Sequence, residues 1–242
     1  MKTVLVTGGS SGIGRASALA AAKAGWNVFV GYSTGEARAS DVVRAIRDQG
    51  GSAWSVRIDL GDPDSGTECL EHITAAGVGL DAIVLAAAPA PVLESFATLG
   101  AEALAQDLNV NVVGNYRLIS HAWRRFFRAN KHGHVVALSS EAAGSPVWPG
   151  MTSYVTSKRA LGALLECAFQ ELGRAGLQIS VVSPGYTETP MLLGLHPHLL
   201  EAARSKQRSG RFLQPDEVAA QVLQCLEHPP DESAVRYCHV HS

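Results

Sequence analysis

Charge is what this chain has least of. Asp, Glu, Lys and Arg make up 17% of its 242 residues, and the formal net charge is −2. That balance lacks the basic footprint of a nucleic-acid binder or of a protein drawn to anionic membranes. Long apolar runs are missing too. The longest, Ala82 to Ala90, falls far short of a bilayer span and contains Pro89. A strand pattern that begins at Lys2 leaves no room for a signal peptide, so a soluble cytoplasmic protein is expected. Cysteine is scarce. Cys69, Cys167, Cys225 and Cys238 include no C-x-x-C pair, which argues against the usual zinc and redox motifs and for reduced, mostly buried thiols. The histidine pairs His196/His198 and His239/His241 would need a third ligand placed by the fold. They read as surface or loop histidines, and no metal is expected.

What is present is enough apolar material for a sizeable core, 46% of the residues. It is organised as short β-branched runs alternating with helical stretches. Strands are expected over Thr3–Val6, Asn27–Val30, Ala53–Ile58, Ala82–Leu85, His134–Leu138, Gln178–Val182 and Ala234–Val240. Helices are expected over Gly12–Ala24, Ala37–Asp48, Asp64–Ala75, Ala101–Arg128, Ser153–Arg174 and Pro215–Glu227. Continuous apolar strands alternating with helices mean an α/β fold, a doubly wound parallel sheet of about seven strands with helices on both faces. No repeat or linker divides the chain, so residues 1–242 read as one domain. The Gly/Pro loops at 144–150 and 184–197 fall at the carboxyl edge of the sheet, where ligands of such folds bind.

The first strand runs into Thr7-Gly8-Gly9-Ser10-Ser11-Gly12-Ile13-Gly14-Arg15, and a helix opens there. A glycine-rich turn between a strand and a helix is built to hold phosphate. Gly8 permits the tight turn, Gly12 lets the backbone approach a pyrophosphate, and Gly14 lets the helix pack closely. The helix-start amides of the Ser10–Arg15 stretch face the anion.

The spacing T-G-x-x-x-G-x-G resembles the short-chain dehydrogenase/reductase family. The resemblance extends to Asp59-Leu60, like the family's acidic residue beside the adenine, although Asp59 also reads as a capping residue. It extends to Tyr154-Val155-Thr156-Ser157-Lys158, the family's Y-x-x-x-K. Residues four apart share a helical face, so the Lys158 ammonium can sit beside the Tyr154 phenol, lower its pKa from about 10 and fit it for proton transfer. Ser140, with Ser139 as the alternative, matches the family serine that hydrogen-bonds the reacting oxygen. Asn111-Val112-Val113-Gly114 resembles N-x-x-G, whose asparagine supports a water relay to the lysine. Pro184-Gly185-Tyr186-Thr187-Glu188-Thr189 resembles P-G-x-x-x-T, whose threonine contacts the nicotinamide carboxamide. Ala86 and Ala87 stand with Ala88 where the family shows N-N-A-G. That replacement removes a side-chain hydrogen bond and adds a methyl under the cofactor ribose.

The resemblance implies hydride transfer between a nicotinamide cofactor and a carbonyl or alcohol carbon. The leading reading is an NADP(H)-dependent ketone or 3-oxoacyl reductase, similar to the 3-oxoacyl-carrier-protein reductases. The alternatives are an NAD(H)-dependent alcohol dehydrogenase and a non-catalytic cofactor sensor. NADP(H) is favoured because Tyr32, not an acid, ends the second strand, with Ser33 and Thr34 following. Arg15 is the first candidate partner for a 2′-phosphate. Arg38 is the second, with Glu36 beside it. A largely apolar substrate pocket is expected from Pro89, Val147, Trp148, Met191, Leu192 and Leu193. The family also implies a homotetramer formed through the two long helices, with Leu161, Leu164, Leu165 and Phe169 as outward candidates. The basic run Arg124, Arg125, Arg128 and Lys131 reads as a solvated helix end or as a docking patch for an acidic acyl carrier.

Overall fold

The computed structural model describes the whole chain except residues 145, 206, 208, 232, 233 and 242. Its seven strands are β1 (Thr3–Thr7), β2 (Asn27–Tyr32), β3 (Ala53–Arg57), β4 (Ala82–Leu85), β5 (Gly133–Leu138), β6 (Leu177–Pro184) and β7 (Arg236–Val240). They form one parallel sheet in the order β3-β2-β1-β4-β5-β6-β7. All residues of β1, β4 and β5 are buried, as a sheet covered on both faces requires.

Three crossover helices are regular: α1 (Gly12–Lys23), α2 (Glu36–Asp48) and α3 (Ser65–Ala75). The fourth crossover is a rod made of α4 (Ala101–Leu108), α5 (Asn115–Ala122) and α6 (Arg128–Asn130). Two π-helical stretches, Asn109–Gly114 and Trp123–Phe127, join them. The rod therefore spans the expected helix but is not uniformly α. Helix α7 (Thr152–Leu172) packs against it, and α10 (Pro215–Glu227) packs against α1. Between β6 and α10 lie two short helices, α8 (Pro190–Leu193) and α9 (Pro197–Ser205), that no periodicity announced.

Apolar side chains divide by the face of the sheet they cover. One core gathers Leu5, Ile83, Val135 and Ile179 under α3, the α4–α6 rod and α7. The other gathers Val4, Val28, Val84 and Val136 under α1, α2 and α10. Leu161, Leu165 and Phe169 belong to the first core, at 7% exposure or less. They are not outward residues, because their helical stripe is the one α7 turns toward the sheet. Leu164 is partly buried against the same core. No helix among the described residues is long and apolar enough to cross a membrane.

Candidate active site

The reversal of strand order falls between β1 and β4, and a cleft of about 370 Å³ opens there at the carboxyl edge. Gly8, Ser10, Ser11, Gly12, Ile13 and Gly14 form its floor. Tyr32 and Ser33 follow β2, Asp59 and Leu60 follow β3, and Ala86 and Ala87 follow β4 along its wall. Thr189 with Pro190 and Met191 closes the far side, and Thr189 stands against Gly12. Gly14 is needed for close packing, since a Cβ there would lie 2.3 Å from the Gly8 carbonyl oxygen. These features fit a dinucleotide: a floor that side chains would fill, helix-start amides over it, and a tyrosine at the end of β2. The amides and glycines of the turn would hold its pyrophosphate, and the walls after β2 and β3 its adenosine. Asp59 lines the cleft, and its carboxylate accepts the Gly61 amide at 3.0 Å; it does not cap α3, whose N-cap is Asp64.

Alanines replacing N-N-A-G do not leave the segment loose. The amides of Ala86 and Ala87 donate to the Thr7 hydroxyl at 3.1 and 3.2 Å, and that hydroxyl donates to the Val84 carbonyl at 3.3 Å. A buried threonine at the end of β1 thus ties β1 to the strand beside it. The only hint in the sequence was its position.

Tyr154 lies in the first turn of α7 and Lys158 one turn on. The Lys158 ammonium is 4% exposed and donates to the Leu138 carbonyl, the last residue of β5, at 2.9 Å. It lies 5.9 Å from the centre of the Tyr154 ring. Ser140, two residues past β5, accepts the Ala142 amide at 3.1 Å and hydrogen-bonds the Tyr154 phenol. Ser139 is tied to the sheet by its backbone amide, which donates to the Val182 carbonyl, and of the two serines it is Ser140 that bonds the phenol.

The electrostatics differ from the sequence expectation. Burial raises the Tyr154 pKa, the Ser140 hydrogen bond opposes the rise, and the charge of Asp107 adds to it. Tyr154 is therefore a protonated acid at neutral pH, its pKa raised rather than lowered. Burial also brings Lys158 down to about 8, against the pull of Asp107. Desolvation disfavours whichever form carries charge, and here it is the largest effect on both groups.

Asn111 lies in the first π-helical stretch, fully buried. Local π geometry of this kind often marks functional positions. Its amide donates to the Ser157 hydroxyl at 3.1 Å, and Ser157 donates to the Tyr154 carbonyl at 2.9 Å. Asn111 thus braces the turn of α7 that carries the pair. Gly114 is required by packing, because a Cβ there would lie 2.1 Å from the Leu60 carbonyl oxygen.

Other expected residues fall outside the cleft wall. Pro184 ends β6, and the Gly185 amide donates to the Val240 carbonyl. Thr187 is buried and donates to the Gly185 carbonyl at 3.0 Å. Arg15 is exposed and does not line the cleft, whereas Arg38 does. Of the expected pocket residues, Pro89 and Met191 line the cofactor cleft. Trp148 packs edge-on against Tyr186 at 5.7 Å, and burial, with the nearby Tyr154 phenol adding to it, raises the Tyr186 pKa. Leu192 turns away into a small cluster with Ala203 and Phe212. Val147 and Leu193 are exposed.

Comparison with known proteins agrees with this geometry. The short chain dehydrogenase family model matches residues 2–198. The cis-4-hydroxycyclohexanecarboxylate dehydrogenase of Sinomonas cyclohexanicum is 31% identical over 218 residues, covering 90% of this chain and 86% of that protein. The 3-oxoacyl-[acyl-carrier-protein] reductase FabG of Staphylococcus aureus is 28% identical over 220 residues, covering 90% and 87%. A solved short chain dehydrogenase from Burkholderia cenocepacia J2315, in complex with NADP, superposes with a TM-score of 0.88 at 30% identity, covering 99% of this chain and 96% of that one. The chain belongs to the short-chain dehydrogenase family. It is an oxidoreductase acting on an alcohol or carbonyl group with a nicotinamide cofactor.

Proposed function

We propose that the protein is a single-domain cytoplasmic reductase of a ketone or 3-oxoacyl substrate and that it prefers NADPH. The observation that carries this reading is that the glycine-rich turn after β1 and the Ser140, Tyr154 and Lys158 cluster after β5 share one sheet edge, with Leu138, the acceptor of Lys158, lining the cleft floored by the turn. When bound, the nicotinamide supplies the hydride. Ser140 and Tyr154 hold the substrate oxygen between them, and Tyr154, kept neutral by burial, hands it a proton. Lys158 fixes the base of the site through Leu138, and its charge favours the phenolate left after transfer.

Arg38 supports the NADPH preference. Its guanidinium folds over Gly35 beside the Ser10 hydroxyl, next to Ser33 and Thr34 in the same wall. The reading therefore moves the 2′-phosphate partner from Arg15 to Arg38. Glu36 accepts the Tyr32 hydroxyl. A substrate on an acyl carrier would approach near Arg124, Arg125, Arg128 and Lys131, a reading favoured by the similarity to FabG. The reading also includes a homotetramer. Exposed Val113 and Tyr116 are apolar surface on the rod suited to it, since the stripe of α7 is spent on the core.

The test is kcat/KM with NADPH and NADH over a panel of ketones and 3-oxoacyl thioesters. NADPH should be preferred, and Tyr154→Phe should abolish turnover while leaving cofactor binding near normal. Arg38→Ala should cost about tenfold or more with NADPH and little with NADH, the scale of one charge-assisted hydrogen bond. Tyr32→Asp should shift preference toward NADH. An unmodified enzyme that prefers NADH would overturn the cofactor assignment.

A further inference from the structure

Among the described residues, one carboxylate and one ammonium are buried: Asp107 at 3% exposure and Lys158 at 4%. Asp107 ends a stretch of α4 that packs against α7, and α7 carries Lys158. Asp107, Asn111 and Asn115 recur every four residues along the rod, and all three are buried. The middle one is tied through Ser157 to the turn that holds Tyr154 and Lys158. Asp107 Oδ2 is fully enclosed and has no hydrogen-bond partner among the described residues. An isolated charge in such a place is costly, and proteins retain one where an opposite charge compensates it.

We propose that Asp107 is a positioning residue of the catalytic centre, the buried counter-charge that holds Lys158 as an ammonium across the contact between α4 and α7. The titratable groups it acts on are Lys158 and Tyr154, both from α7. It opposes the neutralisation of Lys158 that burial drives. The same negative charge adds to the burial that already disfavours the Tyr154 phenolate. One carboxylate therefore biases both members of the pair toward the protonated forms that proton donation requires. No family motif quoted above includes this position, and Asp107 is not among the residues that line the cleft.

The inference rests on the reading of Lys158 as the catalytic lysine, and its test does not depend on turnover. Lysine side chains labelled with ¹³C in the full chain are titrated by NMR, and Lys158 is assigned by the signal lost in Lys158→Met. The unmodified protein should show a midpoint near about 8. In Asp107→Asn the midpoint should fall by roughly one pH unit, a tenfold change in the ionisation constant. Asp107→Glu should restore most of it. A midpoint unmoved in a folded Asp107→Asn overturns the proposal. If Asp107→Asn fails to fold, the combined Asp107→Asn/Lys158→Met chain should fold again, because no buried charge is left unmatched. A double variant that stays unfolded also overturns it. Where turnover is measurable, the alkaline limb should move down with the Lys158 midpoint, since the ammonium is lost as pH rises through it. A chain that reduces no carbonyl would sink the proposed function and leave the titration result standing.

Discussion

His134 should drain stability in acid, and the amount follows from its place. It lies in β5, 2% exposed, with Nε2 paired to the Ser180 hydroxyl at 3.1 Å and Nδ1 unpartnered among the described residues. Burial, then the positive charge of His132, Arg236 and Lys2, lowers its pKa from 6.5 to about 3. Between those values the unfolded chain binds a proton that the folded chain refuses, so stability falls as pH drops below 6.5 and is untouched above it. From pH 6.5 to 5 the loss is one and a half units at about 1.4 kcal/mol each, or about 2 kcal/mol. Urea unfolding at pH 7 and pH 5, at one fixed protein concentration, measures it. Fixed concentration matters because subunit association would add its own contribution. His134→Gln keeps an amide within reach of Ser180 but cannot titrate. It should start less stable at pH 7, yet lose about 2 kcal/mol less than the unmodified protein on going to pH 5. Equal acid losses in the two proteins would refute the reasoning.

Gly14→Ala would press a methyl to 2.3 Å from the Gly8 carbonyl oxygen. Overpacking of that kind costs roughly 1–3 kcal/mol, so calorimetry should show a Tm lower by several degrees together with weakened cofactor binding; an unchanged Tm would show that the turn is looser than described. The thiols should separate by environment. Cys167 is exposed, while burial raises Cys69 to about 12 and Cys225 to about 11, with Cys238 3.8 Å from the latter. Since the thiolate is the reactive form, Cys167 should label first at pH 7.5 and the buried pair only on unfolding. Equal labelling rates for Cys69 and Cys167 would contradict the burial.

Much of this architecture was legible because it is periodic. Strand cores such as Thr3–Val6 and His134–Leu138 fall inside the observed β1 and β5, and the expected Pro215–Glu227 is α10 to the residue. The illegible parts are those where local pattern does not decide. A π-helical stretch adds one residue to a helix, too small a phase change to show in a short apolar pattern, so 101–128 read as uniform. α8 and α9 are short, and only Leu192 and Ala203 in them are deeply buried. The apolar stripe of α7 was visible, but a stripe does not say whether sheet or subunit covers it. The site was legible as a set of motifs, and its charges were not. Desolvation at Tyr154, and a carboxylate four residues before Asn111, reverse the expected direction of the Tyr154 shift.

The departures from the family pattern bear on how such a site tolerates change. Backbone amides at the edge after β4 need acceptors, because buried amides left unpaired are costly. Thr7 absorbs two of them, those of Ala86 and Ala87. It can do so because β1 and β4 are neighbours in register, Thr7 opposite Leu85, one residue before the first of those amides. Side chains here need only supply an acceptor at the strand end, and either strand can supply it. A methyl at Ala88 is a different matter, because it lines the cleft and nothing opposite can remove it. The backbone after β4 is thus held from a neighbouring strand, whereas the added methyl of Ala88 stays at the cleft wall.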